Sequence, residues 1–301
     1  MGKVVTTPAH YLIGCGRRLC PPYLSTYLNM PEQPNMKLAD HGFIEIGPGR
    51  LEYKMIGPRP DEVPTFVLLH EGLGSVELWG DFPQHLADTT GLGVLAYSRA
   101  GYGRSGPSVL PRRATFMHEE ARDVLPHVLD AIGLRRGILL GHSDGASIAA
   151  IYAGSVADHR VRGLVLLAPH FFAEEFGIAE IGRMREAYLT TELRAKLAKW
   201  HRDPDNAFYN WSSPWLEPAF RKWDITEELA YIRVPILIVQ GAEDQYGTLR
   251  QIEVAKEECY CPVEAVILKG IRHVPHREAA EATMAAIVDF TRRLRIEMTR
   301  S

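Results

Sequence analysis

The sequence predicts an α/β protein with a mostly parallel sheet, helices on both faces of the sheet and an inserted helical cap. Three observations carry this prediction. Short apolar runs bounded by turn residues recur along the chain, helix-like segments lie between them, and an alternating hairpin pattern precedes them. Runs that are apolar throughout suit strands buried on both faces, as in a parallel sheet. Their alternation with helices is typical of an α/β fold.

The predicted elements follow in chain order. The hairpin pairs residues 43–46 with 51–55 around a glycine-proline-glycine turn. The apolar runs predict strands at 65–69, 93–97, 137–140, 163–167, 235–239 and 265–268. The helix-like segments are 81–88, 116–132, 146–155 and 276–294.

The stretch between the strands at 163–167 and 235–239 breaks this rhythm. It has no strand pattern, and its apolar residues recur at helical spacing, as at Ile181, Met184 and Tyr188. Because about sixty residues are too many for a simple connection, we expect a separate helical subdomain there. The predicted division is an N-terminal extension, a core in two pieces and a cap: 1–36, 37–169 with 234–301, and 170–233.

Composition and charge narrow the class of function. The 301 residues include 34 Lys and Arg against 37 Asp and Glu, and 46% of them are hydrophobic. This balance is that of a globular protein, and it excludes a disordered chain. We find no basic stripe for nucleic acid and no apolar run of the roughly 18 to 20 residues that cross a membrane. The four cysteines match no zinc spacing, so we expect reduced thiols in a cytoplasmic protein.

The strongest motif is Gly141-His142-Ser143-Asp144-Gly145, between a predicted strand and a helix of small residues. A G-x-S-x-G turn in this context exposes the serine hydroxyl on a strained strand-to-helix turn. The helix N-terminus also presents backbone N–H groups to a developing oxyanion. Ser143 is therefore the predicted nucleophile, and the N–H of Asp144 is the first predicted oxyanion donor.

A serine nucleophile needs a base, and the base needs an acid to orient it. Asp244 and His273 follow the last two predicted strands, so the chain order is serine, aspartate, histidine. We prefer Asp244 to Glu243 as the acid because of its spacing from the preceding glycine turn. We prefer His273 to His276 as the base, and we place His276 at the start of the last helix.

A second oxyanion donor normally comes from the loop after the strand that precedes the first large helix. In this chain that loop is residues 70–75, His-Glu-Gly-Leu-Gly-Ser, and we name it the oxyanion loop. Its glycines allow the backbone to turn N–H groups inward. The N–H of Gly72 is the predicted donor, and that of Leu73 is the alternative.

The oxyanion loop, residues 98–105, the turn around Ser143, Asp244 and His273 together resemble the α/β-hydrolase superfamily over residues 42–295. Within it, the serine-aspartate-glycine turn and the tryptophan-bearing insert resemble the esterase branch that includes valacyclovir hydrolase. Glu71 departs from the glycine that is usual after the first histidine, and Ser98 stands where many members carry Asp. In valacyclovir hydrolase the acid after the nucleophile meets the substrate's amino group. Asp144 therefore has two interpretations, an ammonium site and a helix cap.

The predicted activity is that of a serine hydrolase that cleaves a small carboxylic ester without a metal or other cofactor. Hydrolysis of a thioester, a lactone or a C–C bond, or cofactor-free dioxygenation, is the alternative on the same residues. We expect neither nucleic acid nor membrane as a partner, and the sequence does not reveal the oligomeric state. The expected substrate contacts are Leu73, His142, His170, Phe171, Met184, Tyr188 and Trp211.

Overall fold

The computed structural model describes residues 38–47 and 49–294, so the predicted extension over 1–36 lies outside the described residues. The strands of this part of the chain are β1 (His41–Ile46), β2 (Gly49–Ile56), β3 (Thr65–Leu69), β4 (Gly93–Tyr97), β5 (Gly137–His142), β6 (Val161–Leu167), β7 (Ile236–Gly241) and β8 (Val263–Leu268). They form one sheet in the order β1-β2-β4-β3-β5-β6-β7-β8. β1 pairs with β2 and β2 pairs with β4, both antiparallel. All other neighbouring strands, from β4 to β8 in the sheet order, pair parallel.

The helices of the described residues are α1 (Phe82–Thr90), α2 (Phe116–Glu119), α3 (Leu125–Ala131), α4 (Asp144–Ser155), α5 (Glu175–Thr190), α6 (Leu193–Leu197), α7 (Pro204–Trp215), α8 (Thr226–Leu229), α9 (Arg250–Glu258), α10 (Pro275–Glu278) and α11 (Ala280–Arg293). In this part of the chain no helix is both long and apolar enough to cross a membrane.

Alternate residues of the parallel strands pack against different helices, as the period of two of a strand requires. Phe66 and Leu68 of β3 join one core cluster with Phe82 of α1 and Phe290 of α11. The intervening Val67 is fully buried as well. On the other side α4 packs against α2, α8, β5 and β6. This two-sided burial confirms the predicted α/β fold class, and it places the carboxyl ends of the parallel strands at one edge.

The structure differs from the predicted helices in three places. The helix predicted over 116–132 contains a π-helical turn at Glu120–Val124, next to Pro126, which has no N–H to give to an α-helical bond. The last predicted helix is interrupted at Ala279 between α10 and α11. The helix α9 was not predicted, because one residue of its buried face is the polar Gln251.

Four helices, α5 to α8, lie between β6 and β7 in the stretch that the sequence assigns to a cap. Within the described residues, this stretch adds no strand to the sheet. One isolated bridge, between Phe172 and Asp224, ties its two ends together. The domain boundaries at 170 and 233 stay a prediction, and we use the word cap for residues 170–233.

Candidate active site

Ser143 lies at the tight turn between β5 and α4. Its backbone has φ 53° and ψ −119°, in the left-handed region that costs strain for a residue other than glycine. The flanking glycines allow this turn. A Cβ atom on Gly141 would lie 2.3 Å from the carbonyl oxygen of Gly145, and one on Gly145 would lie 2.0 Å from that of Leu69. A larger residue at Gly141 would push α4 away from β5, and one at Gly145 would push it away from β3.

The side chains of Ser143, His273 and Asp244 form a continuous hydrogen-bonded chain. His273 Nε2 lies 2.9 Å from Ser143 Oγ. His273 Nδ1 lies 2.8 Å and 2.9 Å from the two carboxylate oxygens of Asp244. Because an ionised carboxylate only accepts hydrogen bonds, Nδ1 carries a proton and Nε2 is free to accept the serine proton. Glu243, the alternative acid, is exposed.

The loop after β7 keeps Asp244 ionised. Its Oδ1 accepts hydrogen bonds from the N–H groups of Tyr246, at 2.8 Å, and Gly247, at 3.3 Å. Burial raises the pKa of Asp244, but the charge and hydrogen bond of His273 and the N–H of Tyr246 outweigh it, so the pKa lies below its usual value. An acid held in this way fixes the tautomer of the imidazole.

The two predicted oxyanion donors follow neighbouring strands, because β3 pairs with β5 and Leu69 is opposite Gly141. The Asp144 N–H is the first of α4, where helical N–H groups have no partner within the helix. Within the described residues, the Gly72 N–H donates no hydrogen bond to the protein backbone. Both groups are therefore available to an acceptor from outside the chain.

Arg99 fixes the conformation of the oxyanion loop. It is 1% exposed, and its guanidinium donates hydrogen bonds to the carbonyl oxygens of His70 and, at 3.0 Å, Glu71. Its backbone N–H donates to His70 Nε2 at 3.0 Å. Since Arg99 satisfies two carbonyls of the loop, the neighbouring N–H groups keep a defined direction.

The Asp144 side chain faces the cap. Its Oδ1 accepts a hydrogen bond of 3.1 Å from Trp215 Nε1, whereas Oδ2 is buried with no hydrogen-bond partner among the described residues. Burial raises the pKa of Asp144 to about 6, against the opposing effects of Arg99 and the Trp215 hydrogen bond. The side chain therefore offers an open acceptor that becomes negative as the pH rises through about 6.

The cap contacts the oxyanion loop directly. His201 Nε2 donates to the carbonyl oxygen of Leu73, and its Nδ1 accepts from the N–H of Gly103, both at 3.0 Å. The Trp211 ring lies against Gly72, where a Cβ atom would come within 2.1 Å of the indole. The position of the Gly72 N–H is thus coupled to the packing of the cap.

Two predicted substrate contacts lie beside the imidazole of His273. The His170 ring centroid is 5.6 Å and the His142 centroid 5.2 Å from that of His273. Burial and the charge of His273 lower the pKa of His170 to about 3, so His170 is neutral at pH 7. The alternative base, His276, packs against Trp79, with ring centroids 5.1 Å apart.

Other predicted substrate contacts make contacts within the protein. The Tyr188 ring stacks on Phe208 at 3.8 Å, and its hydroxyl donates to Asp205 at 2.5 Å. Phe171 is fully buried and its N–H donates to Gln251 Oε1 at 2.7 Å. Met184 is half-buried on α5. For these three residues, contact with a substrate stays a prediction.

The sequence reasoning did not identify His201 as a residue of this site, and no motif marks it. The same reasoning noted Glu71 only as a departure from the superfamily pattern, and its approach to His142 was not foreseen. In residues 38–47 and 49–294 no three His, Cys, Asp or Glu side chains form a cluster with metal-binding geometry.

Residues 66–286 match the alpha/beta hydrolase family. The chain belongs to this family, and the prediction that it is an enzyme of the α/β-hydrolase class is confirmed. The proline iminopeptidase of Lactobacillus helveticus is 27% identical, over 64% of this chain and 78% of the relative. A bifunctional esterase/perhydrolase of Acinetobacter calcoaceticus is 26% identical with the same coverage. The enol-lactonase of Burkholderia xenovorans LB400 has the same fold, with a TM-score of 0.66 at 21% identity over 83% of this chain and 100% of that chain.

Proposed function

We propose that the protein is a serine hydrolase that cleaves a small carboxylic ester through an acyl-enzyme. Ser143, His273 and Asp244 form the proposed triad. The observation that carries this proposal is the hydrogen-bonded chain from Ser143 Oγ through the imidazole to the Asp244 carboxylate, with distances of 2.9 Å and 2.8 Å. This hydrogen-bonded series of three side chains is the arrangement that serine acyl transfer requires.

In the first half-reaction, His273 Nε2 takes the proton of the Ser143 hydroxyl while Oγ attacks the ester carbonyl carbon. The electron pair of the carbonyl moves to its oxygen, and the N–H groups of Asp144 and Gly72 donate hydrogen bonds to this oxyanion. Collapse of the tetrahedral intermediate breaks the bond to the alkoxy group. That group leaves as an alcohol with the proton from His273.

In the second half-reaction, His273 takes a proton from water, and the hydroxide attacks the acyl-enzyme. The carboxylic acid then leaves and Ser143 regains its proton from His273. Asp244 accepts the Nδ1–H hydrogen bond throughout, and it stabilises the imidazolium that forms in both halves. No step in this scheme needs a group from outside the chain other than ester and water.

We propose that the cap selects the acyl or alcohol group of the ester. It lies against the oxyanion loop through Trp211 and against Asp144 through Trp215. Side chains of this kind favour an apolar or aromatic group in the substrate. The predicted substrate contacts in and beside the cap are therefore kept as proposals: Leu73, His142, His170, Phe171, Met184, Tyr188 and Trp211.

A second candidate is hydrolysis of an α-aminoacyl ester, as in the valacyclovir hydrolase branch. The open Asp144 Oδ2 favours it, because a buried acceptor without a partner is rare in folded proteins. Its position next to the nucleophile would bring an ammonium group close to the reacting carbonyl. The similarity to a proline iminopeptidase supports substrates with an amino or imino group near the scissile bond.

The first experiment is hydrolysis of p-nitrophenyl esters of increasing acyl length by the wild type and Ser143→Ala. We expect turnover by the wild type and its loss in the variant. Equal turnover by both proteins would overturn the proposal. If a fluorophosphonate labels Ser143 but no ester is turned over, the triad acts on a thioester, a lactone or a C–C bond. Oxygen consumption with a heteroaromatic substrate would instead indicate the dioxygenase.

A further inference from the structure

Two side chains with no proton-transfer or oxyanion role in the proposed reaction, Glu71 and His142, face each other beside the proposed base. Glu71 Oε2 lies 3.5 Å from His142 Nδ1, within ion-pair distance. The other ring nitrogen of His142, Nε2, lies 2.8 Å from the carbonyl oxygen of His273. The two contacts therefore link the oxyanion loop, the strand before the nucleophile and the loop that carries the base.

The contact with the His273 carbonyl oxygen defines one proton position on the His142 ring. A carbonyl oxygen only accepts hydrogen bonds, so Nε2 must donate to His273. The opposite nitrogen, Nδ1, is buried and makes no hydrogen bond among the described residues, so the Glu71 carboxylate at 3.5 Å is the acceptor in reach when Nδ1 carries a proton. His142 is 1% exposed, and solvent therefore offers its ring little alternative hydrogen bonding.

The oxyanion loop aims Glu71 at this ring. The N–H of Gly74 donates to the Glu71 carbonyl oxygen at 3.1 Å, which closes a tight turn. A Cβ atom on Gly74 would lie 2.4 Å from Glu71 Oε2, so the carboxylate lies directly on the glycine backbone. Arg99 holds the same carbonyl oxygen at 3.0 Å. Glu71 is thus fixed by its own loop before it meets His142.

Several further titratable groups surround this pair and the base. His273 and His276 face the His142 ring, with centroids 5.2 Å and 4.9 Å away. The groups that also act electrostatically on Glu71, His142 or His273 are His70, Asp144, His170, His201 and Asp244. Arg99 acts on His70, Arg277 acts on His276, and Tyr246 contacts the His273 ring. Burial lowers the pKa of four of the histidines, so their rings are neutral at pH 7: His70, His170, His201 and His276.

The histidine ring within ion-pair distance of the Glu71 carboxylate is that of His142. Burial raises the pKa of Glu71, but the interactions with His142, His70 and His276 outweigh it and hold that pKa well below its usual range. Glu71 is accordingly an anion at neutral pH. The Glu71 side chain is 26% exposed, so solvent screens its charge only in part and a paired cation stabilises it.

We propose that Glu71 and His142 form an ion pair that holds the backbone of His273, and through it the imidazole, in line with Ser143. Both are positioning residues, and the inference rests on the proposed function for the role of His273 as base. It gives a physical reason for the glutamate in place of glycine after His70. It also gives a reason for histidine as the second residue of the nucleophile motif.

The test measures the second-order rate of Ser143 labelling by an alkyl fluorophosphonate as a function of pH. Labelling needs the nucleophile and its base but no knowledge of the natural substrate. The variants are His142→Leu, His142→Gln, Glu71→Gln and the double variant Glu71→Gln/His142→Gln. The matched control is His118→Gln, which breaks another histidine–glutamate pair, His118 with Glu228 at 3.1 Å.

We expect His142→Leu to lower the labelling rate at pH 8 by about 10- to 100-fold, because displacement of a catalytic group by about 1 Å can cost about 10²-fold in rate. His142→Gln recovers most of this rate, because the glutamine amide N–H can still donate to the His273 carbonyl oxygen. Thermal unfolding of each variant checks the fold. If the leucine variant does not fold, the glutamine variants still decide the test.

The pH profile separates positioning by an ion pair from simple packing. His142→Gln leaves the Glu71 anion without its cation, which favours protonated His273 and moves the midpoint of the acidic limb up by about one pH unit. The double variant removes both charges and returns the midpoint to that of the wild type. His118→Gln leaves both the rate and the midpoint unchanged.

A wild-type midpoint in His142→Gln would overturn the ion pair, and a wild-type rate in a folded His142→Leu variant would overturn the positioning role. Either result with Ser143 still labelled and ester still hydrolysed leaves the proposed function intact. Conversely, a labelled Ser143 with the predicted midpoint shifts, but no ester turnover, overturns ester hydrolysis and supports the inference.

Discussion

The proposed triad and the side of the site that faces the cap differ in how fully their polar atoms are paired. In the triad, the Ser143 hydroxyl, both nitrogens of His273 and both oxygens of Asp244 have hydrogen-bond partners. In the cap and on the Asp144 side chain that faces it, four buried polar atoms have no partner among the described residues: Asp144 Oδ2, Asn210 Oδ1, Ser212 Oγ and Trp223 Nε1. Buried polar atoms are seldom left unpaired. The pairing of these atoms supports the proposed triad, whereas the unpaired Asp144 Oδ2 is an acceptor that we propose a substrate uses.

The largest effect on kcat should come from a change within the proposed triad, whose polar atoms are all paired. Asp244→Asn removes the carboxylate that holds the His273 tautomer, and we expect kcat to fall by about 10⁴-fold with little change in KM. The measurement is steady-state ester hydrolysis at pH 8. Glu243→Gln, one residue earlier and exposed, is the matched control and keeps wild-type activity. Loss of activity in Glu243→Gln with wild-type activity in Asp244→Asn would show that Glu243 is the acid.

The next effect tests how the two sides are coupled. In Gly72→Ala the new methyl group collides with Trp211, which would lie 2.1 Å away. We expect the displaced N–H to lower kcat by about 10²–10³-fold, the cost of one oxyanion donor. Pairing the change with Trp211→Ala should restore part of the rate. Gly182→Ala, with open space around the new Cβ atom, should leave kcat unchanged.

A smaller effect tests whether the open acceptor binds an ammonium group. Asp144→Asn keeps the backbone N–H but removes the charge, and KM for an α-aminoacyl ester should rise about tenfold or more. In the wild type this KM should rise as the pH falls through about 6, because Asp144 becomes protonated there. The ester without the amino group is the matched control. A KM that responds equally for both esters would assign Asp144 to the helix cap alone.

The same group gives a readout that needs no substrate. The pKa of Asp144 is raised in the folded protein, so its ionisation disfavours folding, and stability is lost as the pH rises from about 4 towards about 6. Asp144→Asn should therefore gain stability relative to the wild type over this range. Thermal unfolding at pH 4 and pH 7 measures it, and an unchanged difference between the two proteins would contradict the raised pKa.

The smallest effect concerns the part of the cap away from the triad. Tyr188→Phe removes the hydroxyl that donates to Asp205 at 2.5 Å, so we expect a loss of about 1 kcal/mol in the free energy of unfolding. Its kcat and KM should match the wild type, because the ring still stacks on Phe208. A KM that changes several-fold would instead support Tyr188 as a substrate contact, as the sequence predicts.

The sequence predicts most of the fold and the order of the proposed triad, because strands that are apolar throughout and glycine turns leave local signals. The sequence pattern does not predict the helix α9, because the polar Gln251 on its buried face interrupts the apolar spacing. The sequence does not predict the role of His201 for another reason. It bonds to backbone atoms of Leu73 and Gly103, 128 and 98 residues away along the chain. Backbone contacts over such separations leave no pattern in residue types.

The central claim is that Ser143 carries the acyl group during turnover. Acid quenching of the enzyme within milliseconds of mixing with a p-nitrophenyl ester, followed by peptide mass spectrometry, tests it most directly. The account predicts an added mass equal to the acyl group on the peptide that contains Ser143, and none in Ser143→Ala. An unmodified Ser143 peptide in an enzyme that is turning over the ester and shows no burst of p-nitrophenol, or undiminished turnover in Ser143→Ala, would contradict it.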